Sequence, residues 1–289
     1  MEIACDESGY EGEKLIGTTT ELFAHGSVRL ETRAAAGCMA ELRERIRSPA
    51  TQYKAGHVLR EKHRAVLEWL LGPSGPIQGK AHVFLIDKQR YVISKLVGTL
   101  LGDEGFAGAL HLDGPREFGP ERWTAFLVCA NDLMRSRDRP GTADPVDSIF
   151  EALRALESRG PAGRILRSLR ETRPRVEARR RELRDRPDSL PPLDPLVPAI
   201  ACAVERWSEG GKPIDIVHDR QKILTPQRIE RLMAASGGRL AGIRLADSSV
   251  DPRVQVADVV AGAVRKLASD ELHGRGDPRL TELSHPFRA

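Results

Sequence analysis

Apolar positions in this chain follow two periods. Short apolar runs lead straight into an acid at Ile3-Ala4-Cys5-Asp6 and Val83-Phe84-Leu85-Ile86-Asp87, and Ile214-Asp215-Ile216-Val217-His218-Asp219 reads as a strand with a polar end. A run of that kind is how a buried strand delivers a carboxylate to the rim of a sheet. Leu22 to Leu30 and Leu240 to Leu245 read as two further strands. Helical spacing appears at Ala34 to Ile46, from about Val58 to the stop at Gly72-Pro73, and at Tyr91 to Leu101. Thr225-Pro226 has the form of a helix start, N-cap followed by first-turn proline. Near the end, residues 254, 257, 260, 261 and 264 make one apolar helical face, while Gln255, Asp258 and Gly262 share another. Between 119 and 207 helical periods dominate, with turns at Arg139-Pro140-Gly141 and from Pro187 to Pro198.

This order predicts an α/β fold with a partly parallel sheet and a mostly helical insertion or cap. The expected division is 1–118 and 208–289 for the two parts of the sheet domain and 119–207 for the insertion. The last dozen residues read as a loosely held tail.

Composition narrows the classes. Charged residues make up 30% and no apolar stretch approaches the roughly 18 residues of a membrane span, so no membrane partner is expected. The first twenty residues are acidic and predict no secretory leader. Cys5, Cys38, Cys129 and Cys202 are dispersed, which fits reduced thiols in a cytoplasmic protein better than a disulfide frame or a zinc site. The net charge of +4 is unevenly spread: Arg154 to Arg186 holds twelve arginines against five acids, about +7, leaving the remainder near −3. A basic arm beside an acidic body suits a nucleic-acid partner, DNA or RNA, with Arg164, Arg167 and Arg170 as phosphate contacts. The plainer reading is a solvated helix face.

Asp6, Asp87 and Asp258 are therefore the candidate site, each placed by its element toward one sheet edge. Hard carboxylate oxygens of this kind hold Mg2+ or Mn2+. Glu7 points away from Asp6 if the strand persists, and His218 likewise points away from Asp219, so Asp219 is the further ligand of choice. Asp87 also has a structural alternative as the cap of the helix behind it. Asp247 and Asp251 read as caps, Asp251 for the last helix. Lys54, in Gln52-Tyr53-Lys54-Ala55-Gly56-His57, is a candidate phosphate contact. No Walker loop, Gly-x-Gly-x-x-Gly or Gly-x-Ser-x-Gly is present, which removes support for kinase, dehydrogenase and serine-hydrolase readings.

Taken together, Asp6-Glu7-Ser8-Gly9, Tyr53-Lys54-Ala55, the strand ending at Asp87, Asp219, and Gln255-Val256-Ala257-Asp258 with Ala261-Gly262 resemble the domain-of-unknown-function family 3800. The resemblance spans residues 3 to about 266. It implies a ribonuclease-H-like mixed sheet with flanking helices and a site built from Asp6, Asp87 and Asp258. One departure stands out: the family pattern has Glu-x-Lys where this chain has Gln52 before Lys54. Glutamine keeps an oxygen donor and loses the charge, so the expectation is weak magnesium binding and better function with manganese.

The leading expectation is a divalent-metal-dependent nuclease. The alternatives are a non-catalytic nucleic-acid- or partner-binding protein on the same fold with a weakened metal site, and a small-molecule hydrolase with the cap as a lid.

Overall fold

The computed structural model of the chain describes residues 1–47, 55–138, 141, 143–186 and 189–288. Its strands are β1 (Glu2–Ser8), β2 (Leu22–Val28), β3 (Ala81–Asp87), β4 (Ile214–Asp219) and β5 (Leu240–Ala246). The helices before β4 are α1 (Thr32–Ile46), α2 (Ala55–Val58), α3 (Arg64–Leu71), α4 (Lys88–Leu101), α5 (Phe106–Phe118), α6 (Pro120–Met134), α7 (Pro145–Ala155), α8 (Pro161–Arg170), α9 (Arg173–Asp185) and α10 (Leu196–Trp207). After β4 come α11 (Pro226–Ala235), α12 (Pro252–Leu272) and α13 (Pro278–Ser284).

Among the described residues the strands form one sheet in the order β3-β2-β1-β4-β5. Central β1 runs antiparallel to β2 and parallel to β4, and β5 runs parallel to β4. The protein is thus α/β, with a mixed five-stranded sheet, flanking helices and a helical middle segment, consistent with a ribonuclease-H-like fold.

Two compact units make up the chain: Met1–Tyr10, Leu22–Leu85 and Leu196–Ala289 form the sheet unit, and Glu11–Glu21 with Ile86–Pro195 the helical one. In the sheet unit, alternation sorts the strands' side chains onto two faces. Ala4, Ala24, Val28 and Val217 lie in one core with Val254, Ala257, Val260, Ala261 and Val264 of α12. That is the apolar helical face the sequence predicts. Asp251 caps α12 through the Arg253 amide at 3.0 Å, and Thr225 caps α11. Both caps fall where the sequence puts them.

The helical unit has its own core, with Trp123, Phe126 and Leu127 of α6 packed among residues of α4, α5, α7 and α8. Asn131 pins the 11–21 loop to it: its Oδ1 accepts from the Leu15 and Ile16 amides at 2.8 and 3.0 Å. Lys88, at the start of α4, is buried and donates to Thr18 and Thr20 at 3.1 and 2.9 Å.

Several boundaries differ from those read in the sequence. The helical unit begins at Ile86 and ends at Pro195, because α4 and α5 share one core with α6 and α8. Helix α10 instead belongs to the sheet unit, where Trp207 donates through Nε1 to Ser27 Oγ at 2.9 Å. The helix expected from Val58 to Leu71 breaks at Arg60, whose backbone is extended; Arg60 to Arg64 is a charged run with no apolar residue to hold a face down. The C-terminal segment is packed, not loose: Leu280, Leu283 and Phe287 join the sheet unit's core, and Arg288 forms a bridge with Val83.

Candidate functional site

Asp6 sits in the middle of the sheet's central strand, on the face covered by α12, and is only 5% exposed. Its register partner on β2 is Gly26. A Cβ built at Gly26 would stand 2.6 Å from the Ala257 carbonyl oxygen and 3.1 Å from Ala261 Cβ. The missing side chain therefore lets α12 settle onto the sheet at the level of Asp6, one residue before Asp258. Gly262 repeats the device one turn later, where an added Cβ would meet Ala55 Cβ at 2.3 Å.

The result is a concentration of negative charge. Burial, then the charges of Glu7, Asp258 and Asp219, push the Asp6 carboxyl up to about 9, against a hydrogen bond from the Glu7 amide that pulls it down. At neutral pH Asp6 thus keeps a proton unless a cation takes its place. Asp219 enters this group because β4 runs parallel to β1, with Val217 paired to Ala4 and Asp219 two residues farther on the same face. Its Oδ1 also accepts from the Ser248 amide at 3.1 Å.

The opposite face of β1 is polar in a different way. Glu7 pairs with His25 of β2, and Cys5 pairs with Ser27 of β2 and His218 of β4. His25 and His218 are buried and join Nε2 to Nε2 at 3.1 Å. His218 Nδ1 lies 2.9 Å from the Asp219 carbonyl and must donate to it. With the His218 ring neutral, its Nε2 is then the acceptor and His25 Nε2 the donor. Burial lowers both pKa values, which agrees. Glu7 accepts from Gln221 and approaches His218 at 3.8 Å. The strand's alternation thus separates Glu7 from Asp6, and His218 from Asp219, as the sequence predicts.

The other candidates are placed as follows. Asp87 N-caps α4, Oδ1 accepting from the Arg90 amide at 3.0 Å, and Oδ2 lies 3.6 Å from His111. Asparagine caps as well as aspartate, so Asp87→Asn should change stability by less than about 0.5 kcal/mol. Loss of manganese affinity in that variant, measured by calorimetry, would assign Asp87 a role beyond the cap; an unchanged affinity would leave it a cap. Gln255 accepts from Arg43 at 3.3 Å. Gln52, Tyr53 and Lys54 lie outside the described residues. Arg164 and Arg167 are exposed on α8. Arg170 is tied down instead, donating to the Leu153 carbonyl at 2.7 Å and the Leu156 carbonyl at 3.1 Å, which closes the end of α7.

Two residues to which the sequence assigns no role join on this side of the sheet unit. Ser8, on the Asp6 face of β1, accepts from Arg265 Nε at 2.9 Å. Arg265 follows Asp258 and Gly262 at spacings of seven and three, which puts all three on one face of α12. That spacing is legible in the sequence.

Magnesium and manganese suit this donor chemistry, since Asp6, Asp219 and Asp258 offer hard oxygens. Among the described residues, however, no three His, Cys, Asp or Glu side chains are grouped closely enough to hold an ion as they stand. Among the same residues no helix is long and apolar enough to cross a membrane. Comparison with family models, with curated proteins and with solved structures returns no match to this chain. What stands of the family resemblance is the mixed five-stranded sheet and its helices.

Proposed function

We propose that the chain is a divalent-metal-dependent nuclease whose centre is the carboxylate group on the α12 face of β1. The observation that carries this reading is Asp6: a carboxyl buried among Glu7, Asp258 and Asp219 and driven up to about 9. A protein gains no stability from crowding acids in its interior, and a bound cation reverses the penalty. Asp6, Asp219 and Asp258 would hold Mg2+ or Mn2+, drawing together as the ion enters. The metal would supply an activated water and stabilisation of the leaving oxygen.

The chain's own residues do the rest. Asp6 gives up its proton on metal binding, so affinity rises with pH. Gly26 and Gly262 fix the depth of α12 and with it the position of Asp258. Arg164 and Arg167, exposed on α8, are available to phosphates of the nucleic acid. Lys54 keeps its sequence-based assignment as a phosphate contact, and Gln52 is the reason to expect manganese to serve better than magnesium.

The test is cleavage of single- and double-stranded DNA and RNA by the full chain, with each metal in turn. Manganese-dependent cutting is expected. Asp6→Asn and Asp258→Asn should each abolish it, well beyond the roughly 10–100-fold typical of changes outside the ligand shell. If no nucleic acid is cut, and manganese neither binds nor stabilises the protein, the non-catalytic binding protein becomes the better reading.

A further inference from the structure

Arg265 is a half-buried guanidinium that forms no ion pair among the described residues. Its one hydrogen bond among those residues is Nε to Ser8 Oγ, at 2.9 Å. Two other arginines of the sheet unit are neutralised: Arg253 by Asp251 at 2.7 Å and also by Glu2, and Arg64 by Asp277 at 2.9 Å. Burial lowers the pKa of Arg265, and no carboxylate offsets the effect. Holding a partly desolvated cation without a counter-charge costs stability, so the position calls for an anion from outside. With Nε taken by Ser8, the two terminal nitrogens remain as a planar fork, the shape that fits the non-bridging oxygens of a phosphate.

Placement fixes which phosphate. Ser8 and Asp6 are two residues apart on one strand face, about 6.6 Å at strand rise. A guanidinium resting on Ser8 is therefore offset from Asp6 along β1 by roughly one nucleotide step of an extended strand. Gly262, between Asp258 and Arg265 on the same helical face, packs against Ala55 of α2, and a Cβ there would also come within 3.6 Å of Ser8 Oγ.

We propose that Arg265, oriented by Ser8, binds the phosphodiester next to the one at the carboxylates, and so sets the register of the nucleic-acid strand there. This rests on the reading of Asp6, Asp219 and Asp258 as a nuclease centre, and it adds a named phosphate contact that works by binding and takes no part in bond breaking.

The experiment is equilibrium binding of a short fluorescent single strand, DNA or RNA, to the full chain with calcium in place of manganese. A parallel strand carries neutral methylphosphonate linkages. Arg265→Gln should weaken binding of the charged strand about tenfold and lower the salt slope by about one, while binding of the neutral strand stays at the wild-type level. Arg265→Lys keeps the charge without the fork and should fall between the two. If Arg265→Gln fails to fold by circular dichroism, the lysine variant carries the test, with a loss of about threefold expected on the charged strand alone. Ser8→Ala, which frees the guanidinium to swing, should cost less than Arg265→Gln.

Equal affinities of wild type and variant, an equal loss on both strands, or no binding by the wild type would each overturn the proposal. Manganese-dependent cutting is scored separately. A protein that binds through Arg265 and never cuts would sink the nuclease reading and leave this one standing.

Discussion

Replacing Asp6 with asparagine should make the metal-free protein more stable, and more so as pH rises. In the unfolded chain the carboxyl ionises at its ordinary value of 3.8, whereas in the fold burial and the neighbouring acids raise it to about 9. Below 3.8 both states carry the proton and the difference is nil. Above it the unfolded state releases the proton while the folded state keeps it, so stability falls with pH until the folded carboxyl also ionises near 9. At about pH 8 the penalty is on the order of 5 kcal/mol, at 1.36 kcal/mol per unit. Asparagine has no such proton to lose, and its side-chain oxygen can still accept from the Glu7 amide as Asp6 does at 2.7 Å. Thermal melts should show Asp6→Asn several degrees above wild type at about pH 8, converging with it near pH 4. Added manganese should stabilise the wild type and not the variant, reversing the order. A variant less stable than wild type at every pH would mean that Asp6 is a structural acid and that the charge group is not a site. This is the expected shape of a functional residue held against the fold's own preference.

How much of the fold and the site is legible in the sequence depends on whether the information is local. Alternation in β1 and β4 decides which acids face α12, so Asp6 and Asp219 can be assigned, and Glu7 and His218 set apart, from the sequence alone. Capping chemistry places the start of α12 at Asp251-Pro252 for the same reason. Pairing across distance is what cannot be read. Gly26 looks like a loosening of β2 until α12 lies on it and its missing side chain becomes the condition for contact. The His25–His218 bond joins two strands 193 residues apart. Arg265 is readable by spacing from Asp258, but only Ser8 beside it and the lack of a counter-charge make it distinctive. The arginine-rich segment is the least legible feature, because composition gives its charge and not what that charge is joined to.

Arg180 shows the difference, and its removal should be the most damaging single change in the helical unit. It lies inside α9, 2% exposed, and donates to the Leu133 carbonyl at 2.9 Å and the Arg135 carbonyl at 2.6 Å while pairing with Asp138. It thus closes the C-terminal end of α6, where helix carbonyls have no amide partners of their own. Methionine at this position fills much of the volume and leaves the Leu133 and Arg135 carbonyls without this donor, while Asp138 keeps its pair with Arg184 at 3.1 Å. The expected cost is about 2–4 kcal/mol, since each buried acceptor left without its donor costs about 1–3 kcal/mol. Denaturant titration should show it as a lower midpoint. Arg164→Gln with Arg167→Gln should behave in the opposite manner. Both side chains are exposed on α8, so stability should move by less than about 0.5 kcal/mol. If these two are the ones that meet phosphates, the double variant should bind nucleic acid with a salt slope flatter by up to about two, one for each phosphate no longer neutralised. A slope equal to that of the wild type would make the α8 arginines a solvated face. The basic character of the segment would then belong to the architecture of the helical unit, with Arg180 and Arg170 as its working members.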